Sequence, residues 1–301
     1  MYITLIRMVL APLLTIFVMA AAVVAEPLRI GTISDEPSNE IRDYVPFATY
    51  LEGQLPGSSY DRVEVVMFPD VPQMVMAMKQ GDIDIYIDSA LKSLVVNTKS
   101  GGKMVLRRWK RGVAQYRSVV FVREDSDIQS VQDLTGKLVG VEDLYATTGY
   151  LLPRLSLADD GYVFEQVQDL RAPRPTDKIG YAVSGDEDNT IEWVVRGRAE
   201  AGFSAENDLI SHNKSSDQKL RAIHMTPYIP RNVVSFSPTV NDQDAAFLKT
   251  VFMSLGTSKD GLGVMMAFDG TVEFDEIPAE DRAFMDRIQD ELQMLMANPG
   301  T

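Results

Sequence analysis

From Leu28 onward, the sequence alternates short apolar runs with longer segments of helical periodicity. The strands that this pattern predicts are Leu28–Ile33, Val63–Phe68, Ile83–Ile87, Ser118–Val122, Leu138–Val141, Glu200–Ser204 and Val233–Phe236. The predicted helices run through Phe47–Leu55 with Pro46 in the first turn, from Asp70 to Gly81, at Ser130–Leu134, from about Thr148, at Ile191–Val195, at Asp242–Leu255 and at Ala279–Met296. Such alternation is typical of an α/β fold with mixed, mainly parallel sheets flanked by helices.

Two parts of the chain share a weak pattern, in which a glycine ends a helix and a strand with acidic residues follows. Gly81–Ile85 and Gly197–Ala201 carry this pattern, and a short polar loop comes after each. The similarity predicts two lobes of related α/β architecture.

The two C-terminal helices need a lobe to pack against. We therefore expect the chain to cross between lobes at Ser118–Val122 and to return near Val233–Phe236, so that two hinge strands join the lobes. This places the first lobe at residues 26–117 plus 230–301 and the second lobe at residues 118–229.

A candidate anion site follows the strand Leu138–Val141, where Thr147, Thr148 and Gly149 precede the start of a helix. The first N–H groups of a helix have no partner within the helix, and the helix dipole places partial positive charge there. A glycine allows close approach to the backbone, and the hydroxyls add hydrogen-bond donors. The alternative is that one threonine serves only as the helix N-cap.

Two other polar loops follow strands in the same way, at Asp88-Ser89 and at Ser204–Glu206. In open α/β sheets, ligands bind beyond the carboxyl ends of the strands. We therefore expect these loops and Thr147–Gly149 to surround one cleft between the lobes.

Composition narrows the possible functions of this 301-residue chain. The net charge of −14 argues against nucleic acid as a partner. The chain has no cysteine and only two histidines, His212 and His224, which excludes thiolate chemistry and disfavours a histidine-rich metal site or a His-dependent triad. We predict no metal and no cofactor. The basic residues at 107–111 are expected to form a solvated surface; the alternative is that they steer an anion or a partner.

Residues 1–25 have the features of a cleavable export signal. Arg7 is their only charge, an apolar run follows it, and the segment ends in small residues up to Ala25. An uncleaved membrane anchor is the alternative, but the run is short for a span and contains Pro12. With no cysteine at the junction, lipid attachment is excluded, so we predict a periplasmic protein.

The order of these motifs resembles the periplasmic solute-binding proteins of phosphate, phosphite and phosphonate ABC transporters, over roughly Leu28 to Glu273. The matching stretches are Asp43–Glu52, Gly81–Ile85, Tyr116–Ser126 and, with the family's hydroxyl-rich oxyanion motif, Thr147–Arg154. The resemblance implies a two-lobed fold of the type II periplasmic-binding-protein class, which closes over its ligand.

The resemblance also implies the roles of individual residues. Thr147, Thr148 and the backbone N–H groups of Gly149 and Tyr150 would hold the oxyanion. The further ligand-binding residues that we predict are Ser89, Asp88, Glu206, Glu187, Asp186, Tyr116 and Asn232. Of these, Glu206 lies where the family has a glutamate that pairs with an amine, and Asp186 or Glu187 lies near a family histidine.

The sequence departs from the family pattern at several of these places. Ala146 replaces a hydroxyl residue, Val71 and Asp88 stand where aromatic residues often line the pocket, and Asn232 stands where an acid is often found. Acidic residues facing the cleft would repel a bare dianion. They would favour a ligand with a cationic group or a protonated oxyanion.

The first functional hypothesis is the solute receptor of an ABC importer, a monomer that binds a small anionic or zwitterionic ligand and docks on an inner-membrane permease. A second hypothesis keeps the pocket but assigns the output to a membrane sensor kinase. An enzyme is the third, and Asp88 with Glu206 is the acid pair that it would use.

Overall fold

The computed structural model describes residues 26–34 and 37–297, so the predicted export signal lies outside the described residues. Its strands are β1 (Glu26–Ile33), β2 (Tyr60–Phe68), β3 (Ile85–Ser89), β4 (Lys103–Lys110), β5 (Gln115–Tyr116), β6 (Ser118–Arg123), β7 (Leu138–Val141), β8 (Phe164–Gln166), β9 (Ile179–Val183), β10 (Ala201–Ala205), β11 (Leu220–Met225), β12 (Ile229–Pro230), β13 (Asn232–Phe236) and β14 (Thr271–Glu276). Its α-helices are α1 (Pro37–Glu52), α2 (Val71–Gln80), α3 (Ala90–Ser100), α4 (Leu152–Asp159), α5 (Glu187–Val195), α6 (Glu206–Ser215), α7 (Asp242–Ser254), α8 (Lys259–Ala267) and α9 (Ala279–Ala297). Short 3₁₀ segments occur at Val131–Leu134 and Leu255–Thr257, and a π-helical turn occurs at Thr147–Leu151.

The strands form two six-stranded sheets, with helices packed around them. The first sheet has the order β14-β4-β13-β3-β1-β2, and the second has the order β11-β6-β10-β7-β9-β8. Parallel pairs join β3, β1 and β2 in the first sheet and β10, β7, β9 and β8 in the second; the remaining neighbours are antiparallel. The predicted α/β architecture with two mixed sheets is confirmed.

A separate two-stranded pair, β5 with β12, lies in the chain between the two sheets. The segments predicted to cross between the lobes, Ser118–Val122 and Val233–Phe236, lie next to this pair in the chain but belong to the sheets. Strand β6 pairs with β10 and β11 inside the second sheet, and β13 pairs with β3 and β4 inside the first. The polypeptide therefore passes between the sheets at Gln115–Tyr116 and at Ile229–Pro230. The division into lobes at residues 117/118 and 229/230 stays a prediction, and the sheet membership of the strands is consistent with it.

The basic segment predicted as a solvated surface is instead strand β4, and two of its arginines are buried. Arg107 forms a two-point ion pair with Asp275, at 2.9 and 2.6 Å. Arg108 donates to Thr271 Oγ1 at 2.7 Å and lies over the ring of Phe268. Strand β14, which supplies Thr271 and Asp275, was not predicted, and without it these partners could not be foreseen.

The helix α3 connects the first sheet to the π-helical turn of the second. Eight of the eleven residues of α3 are buried, because the helix packs against α2, the first sheet, α9 and the turn. Helix α9 contacts both α3 and α4, and Met285, Ile288 and Leu292 belong to the same apolar core as residues of both sheets. No helix in residues 26–34 and 37–297 is long and apolar enough to cross a membrane.

Candidate functional site

The predicted anion turn has helical backbone from its first threonine. Strand β7 ends at Val141, and the turn Thr147–Leu151 continues directly into α4. Ala146 is the N-cap residue, and its side chain makes no capping hydrogen bond. Neither threonine is therefore occupied as the N-cap, which was the alternative interpretation of this motif.

Three consecutive amides of this turn are available to a ligand. The N–H groups of Thr147, Thr148 and Gly149 donate no hydrogen bond within residues 26–34 and 37–297. The N–H of Tyr150 is not available as predicted, because it donates to the carbonyl of Ala146 at 3.1 Å. The backbone donors are thus shifted one position toward the N-terminus relative to the prediction.

The Thr147 side chain adds a fourth donor. Its residue is 4% exposed, and its Oγ1 is buried with no hydrogen-bond partner among the described residues. The phenol of Tyr116 on β5 lies beside this hydroxyl: burial raises the pKa of Tyr116 above its ordinary value, and the approach of the Thr147 hydroxyl lowers it. The approach does not reach hydrogen-bond geometry. A buried polar atom without a partner is costly, so its retention points to a role in binding.

Two hydrogen bonds to the second sheet hold the turn in place. Ser118 Oγ on β6 donates to the carbonyl of Thr148 at 2.6 Å, and Tyr150, which is fully buried, donates from its hydroxyl to Tyr181 at 3.1 Å. The Tyr150 and Tyr181 rings belong to the apolar core, so the Tyr150 side chain supports the turn from the core.

Glu142, directly after β7, lies against the glycine of the turn. Its N–H donates to the Gly149 carbonyl at 3.2 Å, and its Cβ and Oε2 are each 2.6 Å from the point where a Cβ on Gly149 would lie. Burial, and then the neighbouring Asp143, raise the pKa of Glu142 to about 7. Sequence reasoning did not select this residue, although a charge at the end of a fully buried strand was a signal for it.

On the first sheet, the predicted residue Asp88 lies close enough to Tyr116 to raise its pKa. Tyr86 Oη donates to Asp88 Oδ2 at 2.8 Å, and the Ser89 N–H donates to Oδ1 at 2.6 Å. Lys92, one helical turn further along α3, has its Nζ 3.9 Å from Asp88 Oδ2. Asp88 raises the pKa of Tyr116 and Lys92 lowers that of Glu142, so these groups act across the gap between the sheets.

A polar cavity of about 140 Å³ lies beside Asp88, at the ends of β1, β3, β4 and β13. Asn232 lines it, as predicted for a ligand-facing residue, while the turn lies outside its walls. Its charged lining residues are three bases and three acids: Lys92, Arg108, Lys110, Asp43, Asp88 and Asp269. Because these charges balance, the cavity offers no net attraction for a dianion, and its volume is below the ordinary range of about 300–1,000 Å³ for ligand pockets.

Glu206 is engaged within the protein. Its carboxylate forms a two-point ion pair with Arg117 and accepts a hydrogen bond from the Tyr228 hydroxyl at 3.0 Å. The hydrogen bond from Arg117 lowers the pKa of Glu206. A ligand amine would have to displace Arg117, so this pairing disfavours the predicted contact. Asp88 and Glu206 are held by different partners, which also disfavours their use as a catalytic acid pair.

The two acids at the start of α5 have different surroundings. Asp186 is exposed and caps the helix by accepting from the Asn189 N–H at 2.7 Å. Burial raises the pKa of Glu187 well above its ordinary value, and the carboxyl of Asp208 beside it adds to this shift. Among the described residues, no group of three or more imidazole and carboxylate side chains is arranged to hold a metal ion.

These buried acids predict that the protein loses stability as the pH rises. Glu142 and Glu187 have a raised pKa in the folded state, so their contribution is fully present below the ordinary glutamate pKa of 4.5 and is lost as the pH passes through the folded values. We expect the midpoint of urea unfolding to fall between pH about 5 and pH about 9. Glu187→Gln should flatten this profile, whereas Asp217→Asn, at an exposed position whose charge raises neither pKa, should not. An unchanged profile in Glu187→Gln would contradict the assignment.

Comparison with known proteins identifies the family. The family model for periplasmic substrate-binding proteins of phosphonate ABC transporters matches residues 30–282. The phosphate-import protein PhnD of Mycolicibacterium smegmatis is 24% identical over 238 residues, which are 75% of this chain and 71% of that protein. The tetrathionate sensor histidine kinase TtrS of Salmonella typhimurium is 33% identical over 121 residues, which are 38% of this chain and 20% of the kinase.

Solved structures support the same fold. The structure of XAC2383 from Xanthomonas citri, bound to chloride ion, has a TM-score of 0.84 and 21% identity, and the match covers 90% of this chain and 99% of that one. At this identity, the likeness bears on the fold alone. Because the family model matches most of the sequence, the chain belongs to the family of periplasmic substrate-binding proteins of phosphonate ABC transporters.

Proposed function

We propose that the protein is the periplasmic receptor of an ABC importer and that it binds a small oxyanion-bearing molecule, of the phosphonate, phosphite or phosphate type, between its two lobes. The observation that carries this proposal is the set of four unused donors at one turn: the amides of Thr147, Thr148 and Gly149, and the buried hydroxyl of Thr147. Donors that converge at a helix N-terminus form a site for an oxyanion.

The location of the turn supports binding between lobes. Helix α3 of the first lobe lies against the turn, and Tyr116, in one of the two connecting segments, faces Thr147. Thr147 and Gly149 are buried, so a ligand can enter only when the lobes move apart. Rotation about β5 and β12 would open the site, and contacts made only in the closed form would drive closure.

Export to the periplasm and action as a monomer are further parts of the proposal. The segment at residues 1–25 would direct export and then be removed. The closed receptor would dock on an inner-membrane permease, and no covalent step and no cofactor would be required.

Replacing Thr147 with valine tests the proposed anion site. Valine keeps the shape of the side chain but removes the hydroxyl, and a hydrogen bond to a charged partner is worth about 1.5–3 kcal/mol. We expect affinity for the preferred anion to fall by about 10- to 100-fold in calorimetry with the exported protein and a panel of phosphonates, phosphite, phosphate and sulfonates. Stability should change little, because among the described residues the lost hydroxyl approaches the Tyr116 phenol without forming a hydrogen bond of normal geometry.

The matched control is Thr147→Ser, which keeps the hydroxyl and should bind close to the wild-type level. If Thr147→Val binds the anion as tightly as the wild type, the oxyanion is not held at this turn. Thr148→Val gives an independent reading, since Thr148 is less buried and its hydroxyl also has no partner among the described residues.

A second candidate function is presentation of the ligand to a membrane sensor kinase. The similarity of 121 residues to the kinase TtrS favours it, although that match covers 20% of the kinase. The two functions share the pocket and differ in the membrane partner. Crosslinking of the exported, ligand-loaded protein in its own cells, followed by identification of the captured membrane protein, distinguishes them: a permease supports the first function and a kinase the second.

A further inference from the structure

The position of Glu142 bears on which oxyanions the site can accept. Glu142 is the first residue beyond β7, and its side chain folds over the centre of the turn. Its Oε2 lies against Gly149, one of the three residues with a free amide. An anion held by these amides would therefore lie beside the Glu142 carboxyl group.

The charges around Glu142 are mostly negative. The groups that face it from neighbouring elements are Asp143 in the same loop, Asp186 and Glu187 at the start of α5, Asp208 on α6, Tyr116 on β5 and Lys92 on α3. Lys92 is the one base among them, and it also lies 3.9 Å from Asp88. Burial and these acids favour the protonated form of Glu142, and they raise its pKa to about 7.

We propose that Glu142 is a specificity-determining residue: it lets the turn accept an oxyanion only when one proton lies between the carboxyl group and the ligand. This inference rests on the proposed function. Two ionised groups in contact at a buried site repel strongly, whereas a carboxyl and an oxyanion that share one proton form a short, charge-assisted hydrogen bond. The proton belongs to the pair, and either partner can bring it.

The ligand class follows from this requirement. Phosphonates, phosphite and phosphate carry an ionisable P–OH near neutral pH, so they can bring the proton themselves. A sulfonate has no ionisable hydroxyl and would depend on a protonated Glu142. The site should therefore prefer phosphorus oxyanions, and binding of every anion should weaken as the pH rises and the shared proton is lost.

Replacing Glu142 with glutamine, beside a control that removes a negative charge elsewhere, separates the hydrogen bond of residue 142 from the effect of the protein's net charge. Glutamine has nearly the same shape, and its amide donates a hydrogen bond at any pH. In Glu142→Gln, methanesulfonate should therefore bind about tenfold more tightly than in the wild type at pH about 8.5, where the wild-type carboxyl is ionised, and the pH dependence should flatten. The control Asp188→Asn also removes one negative charge, at an exposed position of α5, and should leave the preference unchanged.

The experiment is calorimetry of the full-length exported protein with methylphosphonate and with methanesulfonate, at pH about 6 and pH about 8.5. We expect the wild type to bind both anions at the lower pH, where Glu142 carries its proton, and its preference for methylphosphonate to widen at the higher pH as both affinities fall. A preference for methylphosphonate that does not widen between the two pH values in the wild type, or an unchanged preference in Glu142→Gln at the higher pH, overturns the inference.

The Thr147→Val variant keeps the failure of this inference distinct from failure of the proposed function. If Thr147→Val weakens both anions while Glu142→Gln changes nothing, the anion site stands and the role of Glu142 is refuted. If neither anion binds to the wild type, the proposed function and this inference are both overturned.

Discussion

Replacing Gly149 with alanine is expected to reduce anion binding by at least about a hundredfold, the equivalent of losing two hydrogen bonds to a charged ligand. The added Cβ would lie 2.6 Å from both Cβ and Oε2 of Glu142, and the Glu142 Cβ is attached to the end of a buried strand, so it cannot simply rotate away. The loop after β7 must move relative to the turn. The amides of Thr147 and Gly149 then no longer point at a common position.

Calorimetry with methylphosphonate, together with thermal unfolding, measures this effect. Gly263→Ala in α8 is the matched control, because no heavy atom lies within 4 Å of the added Cβ. That variant should bind normally and gain up to about 1 kcal/mol of stability from its better helix propensity. If Gly149→Ala binds like the wild type, the close approach at Gly149 does not matter for the ligand, and the proposed geometry of the site is wrong.

The parts of the fold predicted most accurately are those whose signals are local. The boundaries of β7 at Leu138 and Val141 were predicted correctly, because an apolar run lies between polar residues. Asp70 caps α2 by accepting from the Gln73 N–H at 2.9 Å, and Gly81 ends the helix with a positive φ of 80°, both as the residue types predict.

Elements whose stabilising partners lie far away in the sequence were either not predicted or predicted with the wrong structure. Pro46 lies inside α1 and not in its first turn, because the helix begins at Pro37. The run around Arg107 carries too much charge to suggest a half-buried strand. It becomes one because β14 supplies carboxylates and hydroxyls for its arginines. Periodicity cannot reveal such pairing, since the partners are more than 150 residues apart.

The candidate site was predictable to a similar extent. Thr147, Thr148 and Gly149 were identifiable because a strand, two hydroxyls, a glycine and a helix follow one another in the sequence. The direction in which each acidic side chain points could not be predicted from the sequence. Asp186 is used as a helix cap, Glu206 is paired with an arginine, and Glu142, which was not selected, lies against Gly149.

Replacing Arg107 with alanine is expected to destabilise the protein by about 3–5 kcal/mol, the cost of removing one partner from a buried ion pair. Arg107 is 8% exposed, donates twice to Asp275, and has its Nη1 3.5 Å from Oδ2 of the buried Asp281. Without the guanidinium, both carboxylates lose their cation. Burial already raises the pKa of Asp281, so this residue should take up a proton in the variant. Urea unfolding of the ligand-free protein at neutral pH measures the loss.

Arg62→Ala is the matched control, because Arg62 also contacts two carboxylates, those of Asp61 and Glu64, but at an exposed position. Solvent screens such pairs, so we expect a change of about 0–1 kcal/mol. A similar small loss in Arg107→Ala would mean that water reaches the Arg107 site on β4 and that the segment behaves as the solvated surface predicted from the sequence. A large loss that shrinks at acid pH, where the buried Asp281 becomes protonated in the variant, would instead identify uncompensated buried charge as its cause.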